Sequence, residues 1–214
     1  MKFNCISFDF DGTICDTRNA IKYTLYELFP VKTGEEIDNC IAMGLSLTDT
    51  FAELLGDSIS ESEISTLTSR YRKKYNSEFF IHQTLYPHVK ETIKHLYDKN
   101  VLVIIVSNKG EQSIYEFLDK YDLSRFISLV VGSRENVKPK PSVEPWNNVI
   151  AKKFTSLSLS NVLHVGDTEP DIEYAKNLKI PCAYMTYGFG KPVSELTLKP
   201  DYIFERFNDI LKII

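Results

Sequence analysis

The 214-residue chain contains no apolar run of about 18 residues, the length needed to cross a bilayer, so no membrane-spanning helix is expected. It has no basic surplus: 25 Lys and Arg stand against 29 Asp and Glu, a formal charge of −4, which argues against nucleic acid as a partner. Glycine and proline are scarce, nine of each, which excludes a collagen-like or linker-dominated chain. The four cysteines (Cys5, Cys15, Cys40 and Cys182) are scattered without C-x-x-C spacing and read as buried, reduced thiols. The opening Met-Lys-Phe-Asn-Cys has no signal-peptide apolar region, and together with the thiols this points to a cytoplasmic protein. Repeats and low-complexity tracts are absent. What remains is an ordinary globular composition, 43% hydrophobic and 25% charged. On its face the negative charge disfavours an anionic substrate.

Past residue 85 the pattern alternates strand and helix. Val101–Val106 (Val-Leu-Val-Ile-Ile-Val) is a continuous branched run suited to a parallel strand buried on both faces. Strands are also expected at Lys2–Phe8, Phe126–Val131, Asn161–Val165, Pro181–Thr186 and Tyr202–Phe204. Helical spacing links Val89, Ile93 and Leu96, then Ile114, Phe117, Leu118 and Tyr121, then Val143, Trp146 and Ile150, where Trp146 reads as core. The alternation implies an α/β fold with a doubly wound parallel sheet. Residues 17–84 lack strand runs. Ile21, Thr24, Leu25 and Leu28 form one helical face, and Ser60–Tyr75 reads as a second helix. A small all-helical domain at 17–84 thus interrupts a core made of 1–16 and 85–214, with hinges near Asp16 and Gln83–Pro87. Arg70, Arg72, Lys73 and Lys74 in it read as a solvated face.

Open α/β sheets bind ligands at the carboxyl ends of their strands. There the sequence delivers Asp9-Phe-Asp11-Gly12-Thr13, then Ser107-Asn108-Lys109, then Lys138-Pro-Lys140-Pro, then Gly166-Asp167 with Asp171 four residues later. Asp9, Asp11, Asp167 and Asp171 gathered in one place would repel each other and raise each other's pKa values unless a cation joined them. Hard oxygen donors without suitably spaced His or Cys favour Mg²⁺ over Zn²⁺. With these four aspartates set aside, acids and bases balance at 25 each, so the charge objection to an anionic substrate lapses.

The four segments, in this order and spacing, resemble the four motifs of the haloacid dehalogenase superfamily, and the whole resembles its phosphoglycolate phosphatase-like subgroup with a helical cap. The resemblance implies that Asp9 is the nucleophile that forms an aspartyl-phosphate, and that Asp11 is the general acid and then the base. It implies that Ser107 and the Asn108 backbone N–H hold phosphoryl oxygens, helped by Lys138. Lys140 competes for that role, since it too precedes a proline, but the family spacing favours Lys138. Gly12 and Thr13 would turn the chain beside the phosphate. Mg²⁺ would be held by Asp9, the Asp11 carbonyl and Asp167, with Asp171 orienting its neighbours. The segment Ile41–Thr48 resembles a cap loop facing the site. It is also similar to the M-G-L-x-K stretch of phosphonoacetaldehyde hydrolases, but Leu47 replaces the amine. Arg18 and Asn19 follow the first motif closely and read either as substrate contacts or as a solvated helix face. The implied activity is hydrolysis of a small phosphorylated metabolite, 2-phosphoglycolate first, by a monomer or homodimer. A β-phosphoglucomutase-like transfer, a nucleotidase or pyrophosphatase, and a non-catalytic phosphate-binding regulator are the alternatives. His164 is expected to face the sheet interior or a neighbouring helix, and His82, His88 and His95 to lie at surface or hinge.

Overall fold

Alternation along one apolar strand builds both layers of the core. In the computed structural model, which describes residues 2–56 and 59–214, Val103 and Ile105 pack into one hydrophobic cluster while Ile104 and Val106 pack into a second. Successive side chains of a strand point to opposite faces, so a run without polar alternation is stable only with both faces covered.

The strands in chain order are β1 (Cys5–Phe8), β2 (Cys15–Asp16), β3 (Thr84–Leu85), β4 (Leu102–Gly110), β5 (Leu129–Ser133), β6 (Val162–Gly166), β7 (Cys182–Met185) and β8 (Tyr202–Phe204). Six of them form a parallel sheet in the order β5-β4-β1-β6-β7-β8. From β1 the chain builds outward on one side through β4 and β5, then returns to β1's other side with β6. The carboxyl end of β1 is therefore the topological switch point, where a crevice opens. The expected strand at Phe126 starts later, because Ser124–Phe126 closes a 3₁₀ turn that buries Phe126 before the chain extends. Its pairing with β4 shifts register between Val106 and Gly110, so β4 bulges where it carries Ser107, Asn108 and Lys109.

Helices α1 (Arg18–Leu28), α2 (Gly34–Ala42), α3 (Leu47–Leu55) and α4 (Glu61–Lys74) lie between β2 and β3. The sequence patterns led to only two of them, α1 and α4. The short α2 and α3 are announced instead by their caps: Thr33 with Glu36 closes a capping box, and the Ser46 side chain accepts from the Asp49 N–H. A π-helical turn, Tyr75–Phe79, follows α4. These helices share their own core of Leu25, Phe29, Ile37, Phe51, Tyr71 and Tyr75. Residues 57 and 58 of the expected 17–84 insert lie outside the described residues. Its two ends meet in an antiparallel ribbon, with Cys15 opposite Leu85 and Asp16 opposite Thr84. The sheet is flanked by α5 (Val89–Asp98), α6 (Glu111–Lys120), α7 (Ala151–Lys153) and α8 (Glu169–Leu178). The segment around Trp146 is a π-helical run, Pro145–Ile150, that leads into α7 and buries Trp146 as expected. All four cysteines are free and buried, and no helix among the described residues is long and apolar enough to cross a membrane.

Ile105 is fully buried at the sheet centre. Ile105→Ala should cost about 2–5 kcal/mol through lost burial and the cavity left behind, read as a lower urea midpoint at constant slope. A loss below about 1 kcal/mol would contradict this packing.

Candidate functional site

The switch point is filled by an ion-paired cluster. Asp9 follows β1 directly, and its Oδ1 accepts from the Lys140 ammonium at 2.6 Å. The same ammonium reaches Asp171 Oδ1 at 2.5 Å. Lys138, the lysine favoured by spacing, is exposed, and its backbone N–H donates to Glu144. The expectation for Lys138 is therefore corrected to Lys140. The cause is Asn108: its side-chain carbonyl accepts from the Lys140 N–H at 2.9 Å, and its amide donates to the Lys140 carbonyl at 3.2 Å. This two-point grip fixes the second lysine of Lys-Pro-Lys-Pro against the sheet edge and leaves the first outside.

Asp171 is fully buried in the first turn of α8. Its Oδ2 accepts from the N–H groups of Asp167 and Thr168 and from the Thr168 hydroxyl. Its Oδ1 also meets His164 Nε2 at 3.2 Å, and His164 Nδ1 lies 3.1 Å from the hydroxyl of Ser7, its neighbour across β1 and β6. Burial alone would raise this carboxyl, but Lys140 and the hydrogen bonds outweigh it and hold Asp171 well below the usual range. Lys140 is held protonated by Asp171 and Asp9 despite its burial. Burial lowers His164, with partial compensation from Asp171.

Asp167 accepts from the Thr13 hydroxyl at 2.7 Å and from the Phe189 N–H at 2.7 Å. Thr13 thus holds Asp167 rather than facing an open phosphate position. Gly12, at φ +85°, sits so close to the Asp167 carboxylate that a Cβ would collide with it. Burial first, then the neighbouring carboxylates, pushes Asp9 up to about 7 even with Lys140 beside it, and pushes Asp167 well above its ordinary value. Oxygens of Asp9, Asp167 and Asp171 lie within 4.8 Å of one another. One lysine cannot neutralise three buried carboxylates, so the donor set fits a hard divalent cation. Asp171 is the most heavily engaged of the three, accepting from Lys140, the Asp167 and Thr168 N–H groups and the Thr168 hydroxyl and meeting His164, so Asp9 and Asp167, with fewer partners, are the carboxylates better placed to hold a cation, and the Asp11 carbonyl belongs to the same loop as Asp9.

The Asp11 side chain turns away from this cluster. Its Oδ1 accepts from the Thr17 hydroxyl at 2.7 Å and lies 3.2 Å from the Lys109 ammonium. Lys109 also donates to the Tyr75 hydroxyl at 2.7 Å. Ser107 is buried at the end of the apolar run of β4. A cavity of about 390 Å³ opens above Asp9, Asp11, Ser107 and Lys140 and is roofed by helical-insert residues such as Ile21, Leu25, Ile41 and Leu47. The Ile41–Thr48 turn does face the site: the Gly44 carbonyl accepts from Asn108 at 3.3 Å, and Gly44, at φ +64°, packs so closely on Thr168 that no Cβ fits. Arg18 stacks on the Phe189 ring at 4.8 Å and donates to the Gly188 carbonyl, while Asn19 is exposed. Neither lines the cavity. Arg72 is exposed, as read, and also reaches the rim of the cavity. Sequence patterns gave no role to Thr17, Lys109, Tyr75 or His164. For Lys109 the only signal was its position directly after Ser107-Asn108.

A sequence model described as "Haloacid dehalogenase-like hydrolase" matches residues 6–185. Among curated relatives, a phosphoglycolate phosphatase of Mannheimia succiniciproducens is 27% identical over 100% of this chain and 99% of its own. A phosphoglycolate phosphatase of Salmonella typhimurium is 26% identical, covering 96% and 90%. The pyrophosphatase PpaX of Listeria monocytogenes is 26% identical, covering 100% and 97%. The fold is similar to that of a predicted phosphoglycolate phosphatase from Haemophilus somnus, with TM-score 0.81, 24% identity and 100% and 98% coverage.

Lys140→Ala should destabilise by about 3–5 kcal/mol, because it strands buried carboxylates, whereas Lys138→Ala should stay within about 0.5 kcal/mol. Paired urea melts check this, and equal losses would refute the assignment. A pH effect follows as well. A carboxyl whose folded pKa is raised binds more protons folded than unfolded, so stability falls as pH rises towards the folded pKa. His164 opposes this only below its ordinary 6.5. In chelator, the melting temperature should therefore fall as pH rises from 6.5 through about 7, where Asp9 ionises, with the raised Asp167 adding to the fall, and millimolar Mg²⁺ should restore it. Identical curves with and without Mg²⁺ would exclude the cation site.

Proposed function

Because the chain belongs to the haloacid dehalogenase-like hydrolase family, we propose that it is a Mg²⁺-dependent phosphatase that hydrolyses a small phosphate monoester, of which 2-phosphoglycolate is the leading candidate. The observation that carries this reading is the Lys140 ammonium on Asp9, with Asp11 poised across the same cavity. Two relatives named for phosphoglycolate hydrolysis, matched over nearly their whole lengths, support the choice of substrate.

The chemistry follows from the residues. Asp9, at the mouth of the crevice, attacks phosphorus through a carboxylate oxygen, forming an aspartyl-phosphate while the bond to the leaving oxygen breaks. Asp11 gives that oxygen its proton, then takes a proton from the water that attacks the aspartyl-phosphate and restores Asp9. Thr17 and Lys109 both engage Asp11 Oδ1, which leaves Oδ2 for the proton. Lys140 keeps its charge beside the phosphoryl oxygens because Asp171 and Asp9 hold it protonated. The Ser107 hydroxyl and the Asn108 N–H, at the end of β4, hold the remaining oxygens. Asp9, Asp167 and the Asp11 carbonyl would hold Mg²⁺, which when bound supplies positive charge against the phosphoryl group. The helical insert acts as a cap: the Gly44 turn rests on Asn108 and Thr168, and hinging at the β2–β3 ribbon would open the crevice to substrate and close it against bulk water.

Asp9→Asn should reduce phosphate release from 2-phosphoglycolate and p-nitrophenyl phosphate alike by at least about a thousandfold. Asp11→Asn should impair the alkyl ester far more than the nitrophenyl ester, whose leaving group needs little protonation. Retention of full activity by Asp9→Asn in a malachite-green assay would overturn the mechanism.

A further inference from the structure

Not every charge around the cavity is used by phosphoryl chemistry. Three acids line it, Asp9, Asp11 and Glu111. Asp9 is matched by Lys140. Glu111 is matched by the Arg134 guanidinium and by the Gly132 N–H at 3.0 Å. Two further cations remain. The Lys109 side chain is 9% exposed, its ammonium 3.2 Å from Asp11 and 4.1 Å from the Tyr75 ring centroid. Arg72 lines the same cavity from α4 and has no carboxylate within ion-pairing distance among the described residues. The two walls meet at Gly110, where a Cβ would lie 3.8 Å from Arg72 Nε.

Lys109, enclosed to this degree, loses hydration and needs an anion in exchange, whereas Arg72 reaches the cavity from an exposed position at its rim. Lys109 has only a share of Asp11, which Thr17 also engages. Beyond the two cations the roof is mainly apolar, interrupted by Thr50 and Asn76, and its described residues offer no competing acid. Because Lys109 touches Asp11, it reaches atoms next to the leaving oxygen that Asp11 protonates. A ligand with its phosphoryl at Asp9 would therefore place at Lys109 whatever is bonded a few atoms beyond that oxygen.

We propose that Lys109 and Arg72 form a subsite for a second anionic group on the leaving side of the substrate, a carboxylate or a second phosphoryl. The proposal rests on the phosphatase reading and sharpens it, since it requires a dianionic head and a charged tail within one small ligand. It also accounts for Tyr75, which positions the Lys109 ammonium through its hydroxyl and ring.

The test compares kcat/KM for 2-phosphoglycolate, inorganic pyrophosphate and 2-hydroxyethyl phosphate, whose tail is uncharged, in the Mg²⁺-loaded full chain. The wild type should prefer at least one charged-tail substrate to the neutral one by about tenfold or more. Arg72→Met and Lys109→Met should each cut that preference by about 10- to 100-fold, the worth of a charge-assisted hydrogen bond, and the loss should appear chiefly in KM for Arg72→Met. Arg72→Lys should recover most of it. Which of the two charged substrates shows the preference identifies the tail as carboxylate or phosphoryl. Hydrolysis of all three without preference, or variants that lower all three in proportion, would overturn the subsite and leave the phosphatase reading intact. Failure to release phosphate from any of the three would overturn both.

Discussion

The structure depends on one ammonium group held between two buried carboxylates. Lys140 ties Asp9, at the end of β1, to Asp171, in the first turn of α8, and so locks together the centre of the sheet, the loop after β5 and the helix after β6. A buried lysine keeps its charge only with partners this close. The arrangement is mutual: against their burial, Asp171 stays ionised because of Lys140 and His164, and Lys140 stays protonated because of Asp171 and Asp9. Burial first, and then Asp171 and Asp11, push the Asp9 carboxyl up to about 7 against the opposing pull of Lys140.

Around this pair the site separates two kinds of carboxylate. Asp9 and Asp167 share one lysine with Asp171, so this buried group carries more carboxylates than cations and suits a divalent ion. Asp11 faces the cavity and is held by neutral and cationic donors from Thr17 and Lys109. Two aspartates two residues apart thus differ in their partners, Asp9 meeting Lys140 and Asp11 meeting Thr17 and Lys109, although both line the cavity. The balance of 25 acids and 25 bases outside the four aspartates is the composition-level trace of this concentration of charge.

The helical insert contributes contacts rather than motif residues. Gly44 touches Asn108 and Thr168, Tyr75 takes the Lys109 ammonium, and apolar side chains from α1, α2 and α3 close the roof. Its core of Phe and Tyr is separate from the sheet's two layers, but Phe189, from the loop that binds Asp167, joins it. The same loop therefore senses both the insert and the carboxylate cluster.

The sequence by itself determined the parallel α/β core, because an unbroken run such as Val101–Val106 can be buried only between two layers, and it determined which strand ends carry polar groups. It located Asp9, Asp11, Ser107, Asp167 and Asp171 because each sits at a fixed offset from its strand. Only the tertiary structure decided between Lys138 and Lys140, since both precede proline and the choice is made by an Asn108 side chain on a different strand. Tertiary structure alone also brought Lys109, Arg72 and Tyr75 together. Their meeting depends on how an inserted helix settles on a strand end, and that is set by packing between segments far apart in the chain, which no local spacing encodes.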